Sequence, residues 1–159
     1  MIDFTLSPEV EETRLRIRNF VDTHIIPLES DPANYDEHEN IAHEPLERVK
    51  AMAKAEGLWN LYLTGEDGGL GFNVVQITPC YEEMNRSIFG PVCFNASAPD
   101  DGNMRVLSQV ARPDQKEKWL TPIADGSIRS SFVMTEPSPG SGSDPSVMLT
   151  RATKQGDKW

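Results

Sequence analysis

The chain has 159 residues, which is enough for one domain with a sizeable core or for one domain and part of another. Its 25 acidic and 15 basic side chains give a formal net charge of −10, which disfavours non-specific binding to nucleic acid and insertion at an anionic membrane. With 2 cysteines there is no disulfide framework, and no apolar stretch has the length of a membrane span. We therefore expect a soluble, intracellular protein.

The first helix is predicted to begin at Ser7-Pro8-Glu9. The hydroxyl of Ser7 can accept a hydrogen bond from a free amide, and Pro8 lies where the helix needs no amide donor. Apolar residues then recur at helical spacing as far as Pro27, which should end or kink the helix. The polar, acidic stretch over 29–44 predicts a long surface connection.

A second helix is predicted over 45–56, because its apolar residues share one face and Gly57 provides a stop. An apolar run follows over 58–71 and ends in a loop with four glycines. Such a loop either lets the backbone pass close to another group or simply turns the chain.

A third helix, which Asn73 could cap, is predicted to run to Arg86. Pro79 must either kink this helix or mark a restart with Thr78 as the cap. Both alternatives remain open at this stage.

Further helices are predicted over 103–110 and from Pro113, which suits the first turn of a helix. The chain therefore divides into an N-terminal α-helical domain over 1–125 and a segment of different character over 126–159. The fold class expected is mainly α.

Strands are expected to replace helices after the turn at 125–127. A short β-like run occupies 128–135, a weakly alternating one follows over 147–153, and 155–157 suits a hairpin turn. Because an isolated hairpin is marginal in water, we expect these to be the first strands of a β-domain that continues beyond Trp159.

Two groups of residues could suggest a phosphate site or a metal site, but in both cases a purely structural interpretation is favoured. The glycine-rich loop over 65–71 lacks the Lys-Ser/Thr pair of a phosphate-binding loop, which favours a plain turn. His38 and His43 lie in an acidic, polar stretch, and their spacing does not place them on one helical face. We therefore expect no metal site.

The segment over 132–143 is the strongest candidate for chemistry. A strand offers regularly spaced N–H and C=O groups, Thr135 adds a hydroxyl, and Ser143 could donate to an anionic oxygen. Spacing alone favours a strand followed by a proline-rich turn.

Motifs in this part of the chain resemble the signature of the acyl-CoA dehydrogenase family of flavoproteins. They are Phe-Val-Met-Thr-Glu-Pro at 132–137, Gly-Ser-Asp at 142–144, Gly-Asp-Lys-Trp at 156–159, and Gln-Lys-Glu-Lys-Trp-Leu-Thr-Pro-Ile-Ala-Asp-Gly at 115–126. Phe4, Leu6 and Ser7-Pro8-Glu9 resemble the family's opening helix, and 63–71 resembles its Pro-Glu-Glu-Tyr-Gly-Gly-x-Gly loop. Within the family, residues 95–104 look most like long-chain members joined to kinase-like domains in larger proteins.

Two departures from the family pattern affect how residues are carried over. The loop reads Leu-Thr-Gly-Glu-Asp-Gly-Gly at 63–69, and residues 138–141 lengthen the path from Pro137 to the Gly-Ser-Asp motif. Ser143, rather than Ser141, is matched to the motif because the spacing from Asp144 to Trp159 is the usual one.

The resemblance implies a helical domain, a middle β-domain and a C-terminal helical bundle, with FAD held between domains and subunits. Phe132, Met134 and Thr135 carry over as flavin contacts, Gly142 and Ser143 as further cofactor contacts, and Ser143 also as a contact to acyl-CoA. The family's catalytic base is a Glu of the C-terminal bundle. No residue of this chain is therefore assigned a catalytic role.

The implied activity is FAD-dependent dehydrogenation of a fatty acyl-CoA to trans-2-enoyl-CoA, a step of fatty acid β-oxidation. Implied partners are an electron-transfer flavoprotein and further copies of the chain in a homodimer or homotetramer, in the cytoplasm, mitochondrial matrix or peroxisome. Two alternatives remain: a non-catalytic helical module that binds another protein through an exposed strand edge, and a flavin oxidase or monooxygenase of the same fold.

Overall fold

The structure is a computed structural model that describes residues 5–159, so Phe4 of the family-like opening lies outside the described residues. Its helices are α1 (Pro8–Phe20), α2 (His43–Ala55), α3 (Val74–Met84), α4 (Gly90–Cys93), α5 (Asp100–Val110), α6 (Pro113–Gln115) and α7 (Thr121–Ala124). π-helical turns occur at Val21–Ile25 and Lys116–Leu120, and 3₁₀ turns at Ile26–Ser30, Pro32–Asn34, Gly65–Asp67 and Pro145–Val147. The described chain is mainly α, as the sequence predicts.

The helix starts follow the predicted capping chemistry. The Ser7 hydroxyl accepts a hydrogen bond from the Val10 amide at 3.4 Å at the start of α1. Asn73 caps α3 in a capping box with Gln76, and the helix continues through Pro79. The Thr78 hydroxyl donates to the Val74 carbonyl at 2.7 Å instead of capping a new helix, which decides between the two alternatives.

The main core lies between α1, α2, α3 and α4. Phe20 of α1 packs edge to face on Phe94, with ring centroids 5.3 Å apart. Burying side chains of this size contributes roughly 1.5–3 kcal/mol each. Gly90 is required where α4 passes α3, because a Cβ there would lie 1.8 Å from the Met84 carbonyl oxygen. A second cluster joins α5 and α7 and consists of Leu63, Met104, Leu120, Ile123 and Ala124.

A buried carboxylate links α1 to α3. Glu83 is 4% exposed and accepts hydrogen bonds from Arg14 and from Arg18, whose Nε and Nη2 lie 2.9 and 2.8 Å from its oxygens. Although burial alone would raise the pKa of Glu83, the hydrogen bonds from Arg18 and Arg14 lower it below the usual value. These helices are therefore joined by charge as well as by apolar contact.

The segment after α7 differs from the expected strands. Among residues 5–159 there are only isolated antiparallel bridges, and 128–135 and 147–153 form no ladder. A strand is stable only when a neighbour pairs with its N–H and C=O groups, and within the described residues these two runs have no such neighbour. The predicted turn at 155–157 is formed, with Gln155 bridging to Lys158 and Gly156 at a φ of +65°.

Candidate functional site

The chain leaves the helical core toward the predicted flavin-contact segment at Ala124, whose carbonyl is hydrogen-bonded by side chains of the core. The Ala124 oxygen accepts from Trp59 Nε1 and Asn60 Nδ2, both at 2.7 Å. Asn95 Nδ2 donates to Asn60 Oδ1 at 2.8 Å and to the Ile123 carbonyl at 2.9 Å. Both asparagines are buried and have φ values of +52° and +58°, a region that Asn tolerates better than most residues. The core therefore fixes the direction in which the chain leaves α7.

Lysines of α2 hold the turn that follows. Lys54 Nζ donates to the Asp125 carbonyl at 2.5 Å, and Lys50 Nζ to the Gly126 carbonyl at 2.8 Å. The Lys54 ammonium also lies 4.6 Å from the ring centroid of Trp59, which is 9% exposed. Gly126 has a φ of +77°, and a Cβ there would lie 2.8 Å from Trp59 Cζ2, so glycine is needed at this turn.

The first residue of α5 binds the start of the segment. Asp100 is 2% exposed, and its Oδ1 accepts from the Ser130 amide and the Ser130 hydroxyl, both at 2.6 Å. Its Oδ2 accepts from Nε of Arg129. Asn103, one turn further along α5, donates to the Ser130 hydroxyl oxygen at 2.9 Å. The segment is thus attached to the helical part of the chain immediately before Phe132.

Glu136 closes the loop that follows the segment. Its amide donates to the Gly142 carbonyl at 2.9 Å, and its carboxylate accepts from the amides of Ser141, Leu149 and Thr150 at 3.0, 2.9 and 2.5 Å. The Thr150 hydroxyl donates to the same carboxylate. Hydrogen bonds from Leu149, Ser141 and Thr150 lower the pKa of Glu136 to about 2. The carboxylate therefore holds both ends of the loop and the chain beyond it.

This loop brings Thr135 and Ser143 close together in register. Glu136 bridges to Gly142 in antiparallel fashion, so Thr135 and Ser143 are the residues that flank this bridge on its outer side. Within residues 5–159 neither hydroxyl has a hydrogen-bond partner, so both are free to bind a ligand.

The other predicted contact residues lie at the surface. Phe132 is 68% exposed and its neighbour Val133 is 87% exposed, while Met134 is partly buried. Two cavities, of about 560 and 390 Å³, lie elsewhere: Arg129 lines the larger and Ala124 the smaller. Neither is lined by the predicted contact residues. The segment therefore presents an open face to a ligand.

Residues 5–159 contain no group of three or more His, Cys, Asp or Glu side chains placed to hold a metal ion. No helix among them is both long enough and apolar enough to span a membrane.

Sequence reasoning missed Asp100 and Glu136. Glu136 lies inside the Thr-Glu-Pro motif, so the sequence marks it as part of the candidate site. The residue spacing does not reveal that its carboxylate binds residues further along the chain. Asp100 gave no signal, because Asp-Asp-Gly at 100–102 has the composition of an ordinary turn.

Comparison with known proteins places this helical arrangement in a known class. The model of the acyl-CoA dehydrogenase N-terminal domain matches residues 7–127. Acyl-CoA dehydrogenase family member 11 of Gallus gallus is 37% identical over 98% of this chain, and acyl-CoA dehydrogenase family member 10 of Mus musculus is 38% identical over 83%. The chain covers 20% and 13% of the length of those relatives.

A solved structure assigned to an acyl-CoA dehydrogenase of Mycobacterium abscessus has the same fold. Its TM-score is 0.76 at 36% identity, over 84% of this chain and 36% of that one. The fold and these matches define an acyl-CoA dehydrogenase N-terminal helical domain. The chain belongs to the acyl-CoA dehydrogenase family, as the motifs predicted.

Proposed function

We propose that this protein takes part in FAD-dependent dehydrogenation of a fatty acyl-CoA to trans-2-enoyl-CoA. Residues 1–125 are the helical domain, and 126–159 are the opening part of a β-domain that supplies some of the flavin and substrate site. Family membership supports the general activity. The observation that carries the proposal is the antiparallel bridge between Glu136 and Gly142, which places Thr135 and Ser143 on the two chain segments directly beside it.

The residues of the segment fit a flavin cofactor. Within the described residues, 132–135 make no backbone-to-backbone hydrogen bond, so their amides and carbonyls remain available to the polar edge of a flavin ring. The hydroxyls of Thr135 and Ser143 add donors, and the exposed ring of Phe132 adds an apolar face.

Each residue has a defined task in this proposal. FAD, when bound, supplies the acceptor for the hydride that leaves the acyl chain. Thr135 donates a hydrogen bond to the flavin, and Ser143 donates to an anionic oxygen of the cofactor and contacts acyl-CoA. Donors held in fixed positions stabilise charge as it develops, because they need no reorganisation during the reaction. No residue of this chain is proposed as the catalytic base.

The proposed partners follow from the same family membership. They are an acyl-CoA substrate, an electron-transfer flavoprotein as acceptor, and further copies of the chain in a homodimer or homotetramer. The family match supports an acyl-CoA substrate, whereas the electron acceptor and the number of copies are proposals.

The test is FAD binding and acyl-CoA oxidation by the protein produced from its complete gene. We expect visible flavin absorbance in the purified protein and anaerobic bleaching of that absorbance by a fatty acyl-CoA. Ser143→Ala should weaken FAD binding about tenfold, the usual effect of losing one hydrogen bond to a charged group. Ser127→Ala is the matched control, because it removes an exposed hydroxyl outside 132–143 that donates to the Pro122 carbonyl at 3.2 Å.

Two results would contradict the proposal. Protein that takes up no FAD from solution would refute flavin binding. Rapid oxygen consumption in place of reduction of an artificial dye would reassign the chemistry to a flavin oxidase or monooxygenase.

A further inference from the structure

Asp100 joins the helical part of the chain to residues 129 and 130, which within the described chain make no backbone-to-backbone hydrogen bond of their own. Its side chain is 3% exposed, and both carboxylate oxygens are bound by the segment that follows the helical core. Burial of an unpaired carboxylate is costly, so this side chain is stable only while Arg129 and Ser130 remain against it. The arrangement is therefore a specific attachment between α5 and the segment.

The segment has few other attachments. Within residues 5–159, the last backbone-to-backbone bond before it is from the Ile128 amide to the Pro122 carbonyl, and the next is at Glu136. Between these points, side chains of α5 provide the hydrogen bonds to the backbone: Asp100 to the Ser130 amide, and Asn103 to the Ser131 carbonyl at 3.4 Å. The position of 129–131 is thus set by α5.

Ser130 is the centre of this attachment. Its hydroxyl donates to Asp100 and accepts from Asn103, while its amide donates to Asp100, so the residue has little freedom to rotate or shift. An extended chain advances at most about 3.3–3.6 Å per residue. The distance of Phe132 and Thr135 from Ser130 is therefore limited by the two and five residue steps that separate them along the chain.

We propose that Asp100 is a positioning residue for the flavin-contact segment and acts through Ser130. By fixing Ser130 on α5, it places Phe132, Met134 and Thr135 relative to the helical core. This inference rests on the proposed flavin function. It assigns Asp100 no contact with the cofactor or the substrate.

The test compares Asp100→Asn with Asp101→Asn, which changes the neighbouring carboxylate on the same helix. Asp101 faces Tyr81, whose hydroxyl lies 3.2 Å away, and within residues 5–159 its side chain makes no hydrogen bond or ion pair to residues 129–135. The first readout is hydrogen–deuterium exchange of amides 130–135 in the cofactor-free chain. The others are the dissociation constant for FAD and the visible circular dichroism of the bound flavin.

For Asp100→Asn, we expect exchange at 130–135 to rise about tenfold and FAD to bind about tenfold more weakly, as for one charged hydrogen bond. The circular dichroism of any bound flavin should also change. Asp101→Asn should alter none of these. If Asp100→Asn does not fold, Ser130→Ala, which removes one hydroxyl at a half-buried position, should weaken FAD binding about threefold.

A double variant tests whether Asp100 acts through Ser130. Asp100→Asn combined with Ser130→Ala should bind FAD about as weakly as Asp100→Asn alone, because both changes break one connection. Additive effects, or faster exchange with unchanged FAD affinity and flavin spectrum, would overturn the positioning role while leaving the flavin function standing. Wild-type protein that binds no FAD would instead overturn the proposed function, and the positioning role with it.

Discussion

Asn95 offers the sharpest test of how the core directs the chain toward the flavin-contact segment. It combines a buried side chain that donates two hydrogen bonds with a left-handed backbone at a φ of +58°. Replacement by Ala removes the donors and leaves Asn60 Oδ1 without its partner. Replacement by Gly removes the same donors but accepts the backbone conformation without strain.

The two replacements should therefore differ by a calculable amount. Loss of the hydrogen bonds costs about 2–3 kcal/mol, because a buried acceptor is left unpaired. A left-handed conformation adds roughly 1–2 kcal/mol for Ala and almost nothing for Gly. We expect Asn95→Ala to lose roughly 3–5 kcal/mol and Asn95→Gly about 2–3 kcal/mol of unfolding free energy.

Urea unfolding followed by circular dichroism measures both values, with Asn85→Ala as the control. Asn85 is exposed, its backbone has a φ of −74°, and its side chain makes one hydrogen bond, to the Tyr81 carbonyl, so its replacement should change stability by about 1 kcal/mol or less. Equal stability of the Ala and Gly variants would refute the backbone argument. Wild-type stability in both would refute the role of the hydrogen bonds.

Three further predictions address other parts of the structure. Glu83→Gln should lower the unfolding free energy by about 2 kcal/mol in urea titrations, because it leaves Arg14 and Arg18 without a buried anion; an unchanged value would contradict this. Gly90→Ala should cost about 3 kcal/mol, since its Cβ would collide with the Met84 carbonyl, and a neutral effect would show that α4 can shift. The folded-state pKa of Glu136 is about 2, below its usual 4.5, so the stability it gives the loop is fully present above pH 4.5 and is lost as the pH falls to about 2. The NMR signals of the Leu149 and Thr150 amides should titrate near pH 2; a midpoint near 4.5 would show that the carboxylate does not bind them.

Helix positions were predictable from the sequence because capping is local. Ser7 and Pro8 start α1 where expected, Gly57 ends α2 with a φ of +67°, and Asn73 caps α3. Each signal lies within a few residues of the structure that it specifies. The choice at Pro79 could not be made from the sequence, and the structure shows that α3 continues through it, with the Thr78 hydroxyl bonded to the Val74 carbonyl.

The contacts that support the candidate site could not be predicted in the same way. Asp100 is hydrogen-bonded to Ser130, and Glu136 to Thr150, although these residues are far apart in the sequence. Helical or strand periodicity does not predict contacts at such sequence separations. The Thr135 and Ser143 assignments came from family motifs and stay predictions until FAD binding is measured. The strand predicted over 128–135 is absent, which shows the converse case: a local β tendency forms no strand without a neighbouring strand to pair with.

The tryptophans of the chain lie at three different depths. Trp59 is 9% exposed beneath the Lys54 ammonium, Trp119 is 48% exposed, and Trp159 is 80% exposed. The three side chains should therefore emit at different wavelengths, so no added label is needed to tell a buried tryptophan from an exposed one. A blue shift in the long-wavelength part of the emission would report that something has covered the end of the chain, whereas loss of the short-wavelength part would report that the helical core has opened.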